Sequence, residues 1–512
     1  MSENKKYINY SNLSLTIDAE KKKGKKIVQC HGTFDLIHPG HIIHFEEAKS
    51  LGDILVITMT SEKHVNKGPG RPFFTDDLRM KSIASLEFVD YVSTIPFPAA
   101  VEAIESVKPD IYCKGKEYEN PDIDITGNIL DDVKVVESLG GKVAYVGTVV
   151  FSSSKLINSH FDRHSKTTKG LLKKISDDYT FDELRDLIND FKSLKVLVVG
   201  DLIVDKYSTV SVQGLTSKNR VLSTRFINEN MQAGGALAIF RHVREFTKNV
   251  KLFSVCGTEP WANTFLEEHL SKNEDLIIKD DEFTTIIKHR FVESLSEGKE
   301  LSKLFSVNYI DKDHPEQRII DKLTKSLQLI IKDYDLVLVA DFGHGLLTHE
   351  VREIVQQDSN FLSINCQTNS NNFGYNIINR QYQRADSFSL DQSEMSLACG
   401  KKKFDEVHEL EFLAKNLSSK YGWFTRGGAE TIGFSLNESH CKCDSLENLV
   451  VDTVGAGDAF CAAASIGAVR GLPLNLVTLM GQIAGAQAVR IVGNTDCISK
   501  EKFMKSLESL LK

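Results

Sequence analysis

The chain has 512 residues, and 62 Lys+Arg against 70 Asp+Glu leave a net charge of −8. That mildly acidic balance argues against a protein built to coat nucleic acid or anionic lipid, so neither a nucleic-acid nor a membrane partner is expected. With 41% hydrophobic and 26% charged residues there is material for more than one core, and length alone suggests about three domains or, equally, two large ones. The longest uncharged apolar stretch, residues 459–469, is too short to span a bilayer. The N-terminal residues lack the apolar centre of a signal peptide, and the nine cysteines are scattered without a C-x-x-C pair. Cys441 and Cys443 read as a loop or strand feature, not half a zinc site, and a reducing, cytoplasmic setting is expected.

Residues 1–25 are polar and run into the lysine-rich segment 21–26, which reads as a solvated lead-in to the first strand. A βα alternation follows, with strands expected at 27–30, 54–59, 111–113 and 142–146 and helices at 38–50 and 78–87. Such alternation implies a parallel sheet covered by helices. Residues 162–174 are polar and Lys/Thr-rich and suit a linker. The segment from Thr180 to Glu183 has the capping-box pattern of a helix start. A second α/β unit begins at 195–200, with another buried strand at 336–340 and Gly/Ala-rich helices after Asp452. The expected organisation is an extension over 1–25, a domain over 26–160, a linker and helix over 161–192, and a domain over 193–512. No G-K-[ST], H-E-x-x-H or post-strand G-x-G-x-x-G occurs, which removes P-loop, zincin and standard dinucleotide readings.

Two segments carry chemistry. The first, GTFDLIHPGH over residues 32–41, lies between the first strand and the first helix. Pro39 suits the first helical turn, and Gly32 and Gly40 let backbone approach a ligand. His38 and His41, three apart, can face one side of a helix N-terminus that already attracts phosphate. Two histidines alone would read as a capped turn; the whole ten-residue run makes a phosphate site the better reading.

This run resembles the G-x-F-D-x-x-H-x-G-H signature of the cytidylyltransferase-like nucleotidyltransferases, over about residues 25–160. The resemblance implies a Rossmann-like domain that joins a nucleotide to a phosphorylated small molecule with Mg²⁺. It implies nucleotide contacts at Gly32, Thr33, Phe34, His38, Gly40, His41, Lys67, Arg79, Lys114 and Gly115. Ser152, Ser153 and Ser154 fall in a segment similar to the family's late I-S-T-T-x-I motif. The arginine that precedes that motif in the cytidine-using branch is not evident at 147–150, which favours ATP over CTP. A sugar phosphate is already anionic, so it can attack the α-phosphorus without a general base. The protein must then supply positioning and electrostatic stabilisation, with His38, His41, Lys67 and Arg79 as contributors.

The second segment, DTVGAGDAF over residues 452–460, precedes an Ala-rich helix. Gly455, Ala456 and Gly457 expose successive N–H groups as an anion hole, and Asp458 can take the proton from an attacking hydroxyl. A capped glycine turn is the bland alternative for G-x-G-D by itself. The full segment resembles the signature of the ribokinase-like carbohydrate kinases, over about residues 193–512. The resemblance implies a ribokinase-like α/β domain, with Asp201, Asp205, Gly234 and Gly235 facing the sugar. It implies Thr425, Gly427 and Gly428 near ATP, Glu394 as an indirect Mg²⁺ organiser, and Asn494 near the adenine. Departures are visible: Ala236, Leu237 and Ala238 replace A-A-N, and DQSE over 391–394 replaces N-x-x-E. Likewise DFGHG over 341–345 and NCQT over 365–368 replace D-Y-x-K-G and D-P-K-G.

Together the segments resemble the bifunctional heptose kinase/nucleotidyltransferases of lipopolysaccharide precursor synthesis, with the two domains in reversed order. That implies an α/β protein of two domains making a nucleotide-activated sugar from a sugar or sugar phosphate and ATP, as a homodimer. The alternative is a nucleotidyltransferase whose kinase-like domain serves binding, regulation or dimerisation.

Overall fold

Short aliphatic runs alternating with amphipathic helices build two parallel sheets, one in each of two units. The computed structural model describes residues 6–119, 128–147, 164–271, 275–293, 301–310 and 315–512. One unit comprises residues 1–163 with 504–510 and 512; the other comprises 164–503 with 511.

In the first unit the strands are β1 (Ile27–Gly32), β2 (Ile54–Thr60), β3 (Tyr91–Ile95), β4 (Ile111–Gly115) and β5 (Lys142–Val146). They form one parallel sheet in the order β3-β2-β1-β4-β5. Alternation along β1 and β2 splits the core. Val28, Cys30, Leu55 and Ile57 pack with Phe45 and Ile83, while Ile27 and Val56 pack with Leu13, Ile17 and Val107. Both faces are thus covered, as a parallel sheet requires.

Leu13 and Ile17 correct the expectation of a solvated N-terminal extension. Residues Tyr10–Lys22 form a helix capped by Asn9, and its two buried apolar residues lie four apart on one face. Lys21 and Lys22 occupy its last turn, where cations complement the helix dipole. The helix expected at 78–87 begins earlier, at Asp76–Ala84, with Asp76 and Asp77 favourably placed in its first turn.

The second unit contains β6 (Val196–Gly200), β7 (Leu202–Leu215), β8 (Leu222–Gly234), β9 (Val250–Cys256), β10 (Asp275–Lys279), β11 (Ile286–Glu293) and β12 (Ser302–Tyr309). It continues with β13 (Leu336–Asp341), β14 (Leu362–Cys366), β15 (Ser387–Leu390), β16 (Tyr421–Thr425), β17 (Glu430–Ser435) and β18 (Ser439–Asp444). Nine strands form a sheet in the order β10-β9-β6-β13-β14-β15-β16-β17-β18, with β17 and β18 antiparallel. Leu197, Val199, Val337 and Ile364 pack on one face against Leu323, Val351 and Leu413 of three helices. Helices Ala456–Val469 and Leu474–Ala488 are almost wholly apolar and buried.

A separate four-stranded sheet, β12-β11-β7-β8, was not evident in the sequence. Only Asp201 separates β6 from β7, so the chain turns directly from one sheet into the other.

The linker expected at 162–174 is corrected as well, within the described residues. Lys166–Asp178 is a helix capped by Ser165, with Leu171, Leu172 and Ile175 buried, and Thr168 accepts the backbone N–H of Asp444. The capping box at Thr180 and Glu183 is present as read from sequence. Cys441 and Cys443 lie on β18, and no group of three metal-ligating side chains occurs among the described residues. No helix among them is long and apolar enough to cross a membrane.

Candidate active sites

In the first unit the strand order reverses between β1 and β4, and ligands of such sheets bind beyond the carboxyl ends at that point. A cavity of about 270 Å³ lies there, lined by Gly32, Thr33, Phe34, His38, Gly40, His41, Lys67, Lys114 and Gly115. His38 is the extended residue before helix Pro39–Lys49, with Pro39 at the first helical position. The His38 and His41 rings stack with centroids 3.9 Å apart. Phe34 holds a left-handed φ of 47°, unusual for an aromatic residue, and its ring meets His41 and Phe45 edge-on. Asp35 fixes this turn by accepting the N–H groups of Phe73 (2.7 Å) and Phe74 (3.0 Å) and pairing with Arg71 at 3.2 Å.

Burial, reinforced by His38 and Lys67, pushes the His41 imidazole down to about 3, and burial lowers His38 too. The pair therefore stands at neutral pH as uncharged donors. Positive charge in the cavity comes from Lys67, itself lowered by burial, and from Lys114. Lys114 pairs with Asp132 at 2.9 Å and lies over the Tyr112 and Tyr118 rings.

Arg79 departs from expectation: it does not line the cavity. Its buried guanidinium donates to the carbonyls of Thr33 (2.5 Å) and Thr60 (2.9 Å) and pairs with Asp76. It braces the start of the loop at 33–38 from behind. Ser152, Ser153 and Ser154, and the position of the missing arginine at 148–150, lie outside the described residues. Sequence reasoning missed His31, His44, Tyr118 and Asp132, which also line the cavity. His31 bonds Thr58 and Thr60, and burial pushes it down to about 3. Its signal was available, since it immediately precedes the glycine-rich run at the strand end.

The second unit places a cavity of about 710 Å³ beyond the carboxyl ends of its parallel strands. Asp205, Gly235, Glu394, Thr425, Gly427, Gly428, Gly455, Ala456, Gly457 and Asp458 all line it. Gly455 has φ +82° and stands at the N-terminus of the 14-residue helix Ala456–Val469. A side chain there would meet Asn494 Oδ1 at 2.2 Å, so only glycine permits this turn. Gly235 is equally constrained: φ is +55°, and a Cβ would meet the Asp201 carbonyl at 2.4 Å.

Asp458 lies in the first turn of that helix, and its Oδ1 accepts from Asn365 Nδ2 at 2.9 Å and Gln367 Nε2 at 2.8 Å. Burial pushes its carboxyl up to about 7; the two amides and Lys288 oppose the rise, and Asp205 adds to it. A carboxyl poised near neutrality is suited to accept a hydroxyl proton. Glu394 closes a capping box with Asp391 and accepts the Thr368 N–H at 3.3 Å; burial raises its carboxyl strongly. Mg²⁺ usually keeps several waters and binds through one or two carboxylates plus substrate phosphates. Glu394 and Asp391 at the cavity wall fit that pattern, although both already serve the helix cap.

Two assignments change. Asp201 is not at the cavity wall: it accepts backbone N–H groups from Phe342, His344 and Leu346, and burial with nearby Asp341 pushes it up to about 6. Gly234 is likewise not at the cavity wall: it lies against Asp205, and a Cβ there would meet Asp205 Oδ2 at 2.6 Å. Asn494 lines the cavity beside Gly455, and its side chain reaches Asp205 at 3.5 Å. Lys288 and Arg290 on β11 were missed, though their spacing of two puts both on one strand face. Arg290 pairs with Asp205, and Lys288 sits over the Phe342 ring. The signal was weak because β11 belongs to the sheet that sequence reasoning did not see.

The described geometry therefore defines two α/β units, each with a cavity at the carboxyl ends of its parallel strands. Residues 30–158 match the family model described as Cytidylyltransferase-like, and residues 347–501 match the pfkB family carbohydrate kinase model. The chain is 40% identical over 121 residues to Bifunctional protein HldE of Aliarcobacter butzleri, covering 23% of this chain and 25% of that one. It is 39% identical over 140 residues to Bifunctional protein HldE of Geobacter metallireducens, covering 27% of each. These matches span about a quarter of the relatives' length. Among solved structures, phosphofructokinase-2 from Escherichia coli in complex with potassium aligns with TM-score 0.50 at 12% identity, over 62% of this chain and all of that one. That likeness establishes the fold.

Proposed function

We propose that the chain is a bifunctional enzyme of nucleotide-sugar synthesis. Its second unit transfers phosphate from ATP to a sugar or sugar phosphate of heptose type. Its first unit transfers a nucleotidyl group, adenylyl in preference to cytidylyl, to a sugar 1-phosphate and releases pyrophosphate. The observation that carries this reading is the convergence of Asp458, the Gly455–Gly457 turn and Glu394 on one cavity, in a chain that also matches the nucleotidyltransferase model. The partial matches to Bifunctional protein HldE support a bifunctional reading; the place in lipopolysaccharide precursor synthesis is the one the sequence resemblance implies.

In the kinase unit Asp458 takes the proton of the acceptor hydroxyl, whose oxygen attacks the γ-phosphorus of ATP as ADP leaves. The N–H groups of Ala456 and Gly457, at the positive end of the helix, stabilise charge on the transferring group. Glu394 and Asp391 would help hold Mg²⁺, which when bound would neutralise charge on the nucleotide phosphates. Asp205, with Arg290 and Lys288 opposite it on β11, forms the acceptor side. In the nucleotidyltransferase unit the acceptor phosphate is its own nucleophile. His38 and His41 donate hydrogen bonds, Lys67 and Lys114 add positive charge, and Arg79 holds the loop in register. The domains of the proposal are 26–160 and 193–512, in the reverse order to the heptose enzymes, in a cytoplasmic homodimer.

The test is to incubate the full chain with ATP and a panel of sugars and sugar phosphates and follow ADP, then to follow pyrophosphate from NTP and sugar 1-phosphates. ADP formation lost in Asp458→Asn and pyrophosphate release lost in His41→Ala is the expected pattern. Pyrophosphate release without phosphorylation of any sugar would instead favour a kinase-like unit serving binding, regulation or dimerisation.

A further inference from the structure

The segment that departs furthest from the kinase pattern, NCQT over 365–368, lies against the residue on which phosphoryl transfer depends. Asn365 is buried near the end of β14, opposite Ala340 of β13, and its Nδ2 reaches Asp458 Oδ1 at 2.9 Å. Gln367 reaches the same oxygen at 2.8 Å. Among the described residues both hydrogen bonds to this carboxylate end on Oδ1, which leaves Oδ2 to receive a proton.

The two amides are themselves held. The Gln367 N–H donates to the Asp341 carbonyl at 2.8 Å, and its carbonyl accepts from Asn376 Nδ2 at 3.0 Å. Asp341 is fully buried and bonded by Arg352, Tyr382 and Asn376. This network pins Gln367 from behind, while β-sheet pairing pins Asn365. An amide N–H can only donate, and two donors on one oxygen favour the ionised carboxylate over the acid.

We infer that Asn365 and Gln367 act as an amide clamp that orients the Asp458 carboxylate and keeps it available as a base. Both line the cavity, and in this role they are positioning residues that act through Asp458; the role rests on the kinase reading above. Without them burial would dominate, and Asp458 would carry its proton at the pH where a base is needed. The other titratable groups facing the clamp are Asp205, which favours the protonated form, Lys288, which favours the ionised one, and Glu394, itself raised by burial. In this reading the departure from the family's D-P-K-G pattern is not decay: it supplies two neutral donors to the base.

The test follows Asp458 by carbon-detected NMR of labelled carboxylates in the full chain, with Asp458→Asn identifying its signal. Asn365→Ala and Gln367→Ala are each expected to raise its titration midpoint by about one unit, a tenfold gain in proton affinity. Gln367→Glu is expected to raise it further. The acid limb of the kcat profile for ADP formation should move upward by the same amount, with KM for ATP little changed. Gln367 is only partly buried, so Gln367→Ala tests the clamp even if Asn365→Ala does not fold. An unmoved midpoint in folded Gln367→Ala overturns the proposal. If the parent phosphorylates no sugar, the kinase reading fails, while the NMR titration still decides the clamp.

Discussion

In the proposed function the two cavities handle phosphate by opposite means. In the first unit the histidines are held uncharged, with His41 near 3, and the cavity carboxylate Asp132 is neutralised by Lys114. In the second, a carboxyl is held close to its own midpoint, with Asp458 near 7. The difference follows from the nucleophile. A phosphate oxygen arrives ionised and needs donors and charge, whereas a sugar hydroxyl must lose a proton as it attacks. On that proposal one chain separates a site without a base from a site built around one.

The strongest way to break this contrast is Asp458→Asn. Loss of a positioned base should lower kcat for ADP formation by about 10²–10⁴-fold and leave pyrophosphate release unchanged. Comparable loss of both activities would show that the sites are not chemically independent. Next, His41→Ala should lower pyrophosphate release by about 10²–10³-fold, the range for a lost transition-state donor, with ADP formation retained.

Between pH 5.5 and 8 the two activities should diverge. ADP formation should fall as pH drops through about 7, because Asp458 becomes protonated. The contribution of His41 to pyrophosphate release should not change there, because His41 titrates near 3. The stability sign is also distinct. The Asp458 pKa is raised on folding, so its ionisation destabilises the fold above the unfolded value of 3.8, fully so only above about 7. Asp458→Asn should therefore raise Tm at pH 8 by a few degrees, and the gain should shrink towards pH 5.

The smallest effect on chemistry and a large one on stability should come from Arg79→Met. Two buried carbonyls, those of Thr33 and Thr60, would lose their donor, and denaturant unfolding of the first unit should weaken by about 3 kcal/mol. If folded Arg79→Met instead raised KM for the nucleotide while stability held, Arg79 would be a ligand contact after all.

Local signals carried much of this molecule. The run at 32–41 announced a strand, a glycine turn and a proline-started helix, and each is where its residues place it. The turn at 455–457 was equally legible, because only glycine tolerates φ +82° beside Asn494. What was not legible depended on partners far along the chain. Arg79 looked like a free cation until Thr33, 46 residues earlier, proved to accept from it. Asp201 and Asp205 are four apart, yet one turns to backbone N–H groups at 342–346 and the other to the cavity. The polar stretches 1–25 and 162–174 concealed helices whose few apolar residues matter only when a sheet or strand lies beneath them.

By itself the sequence determined the α/β class, the two glycine turns at helix starts and the residue types around them. These depend on φ, on helix starts and on side-chain chemistry, all local properties. Tertiary structure alone decided which charges remain for a ligand, that two amides from residues 365 and 367 meet the carboxylate of residue 458, and that burial moves His41 and Asp458 in opposite directions. Desolvation disfavours the charged form of each group, so it lowers an imidazole and raises a carboxyl. Its size is set by every atom packed around the site, which no single stretch of chain contains.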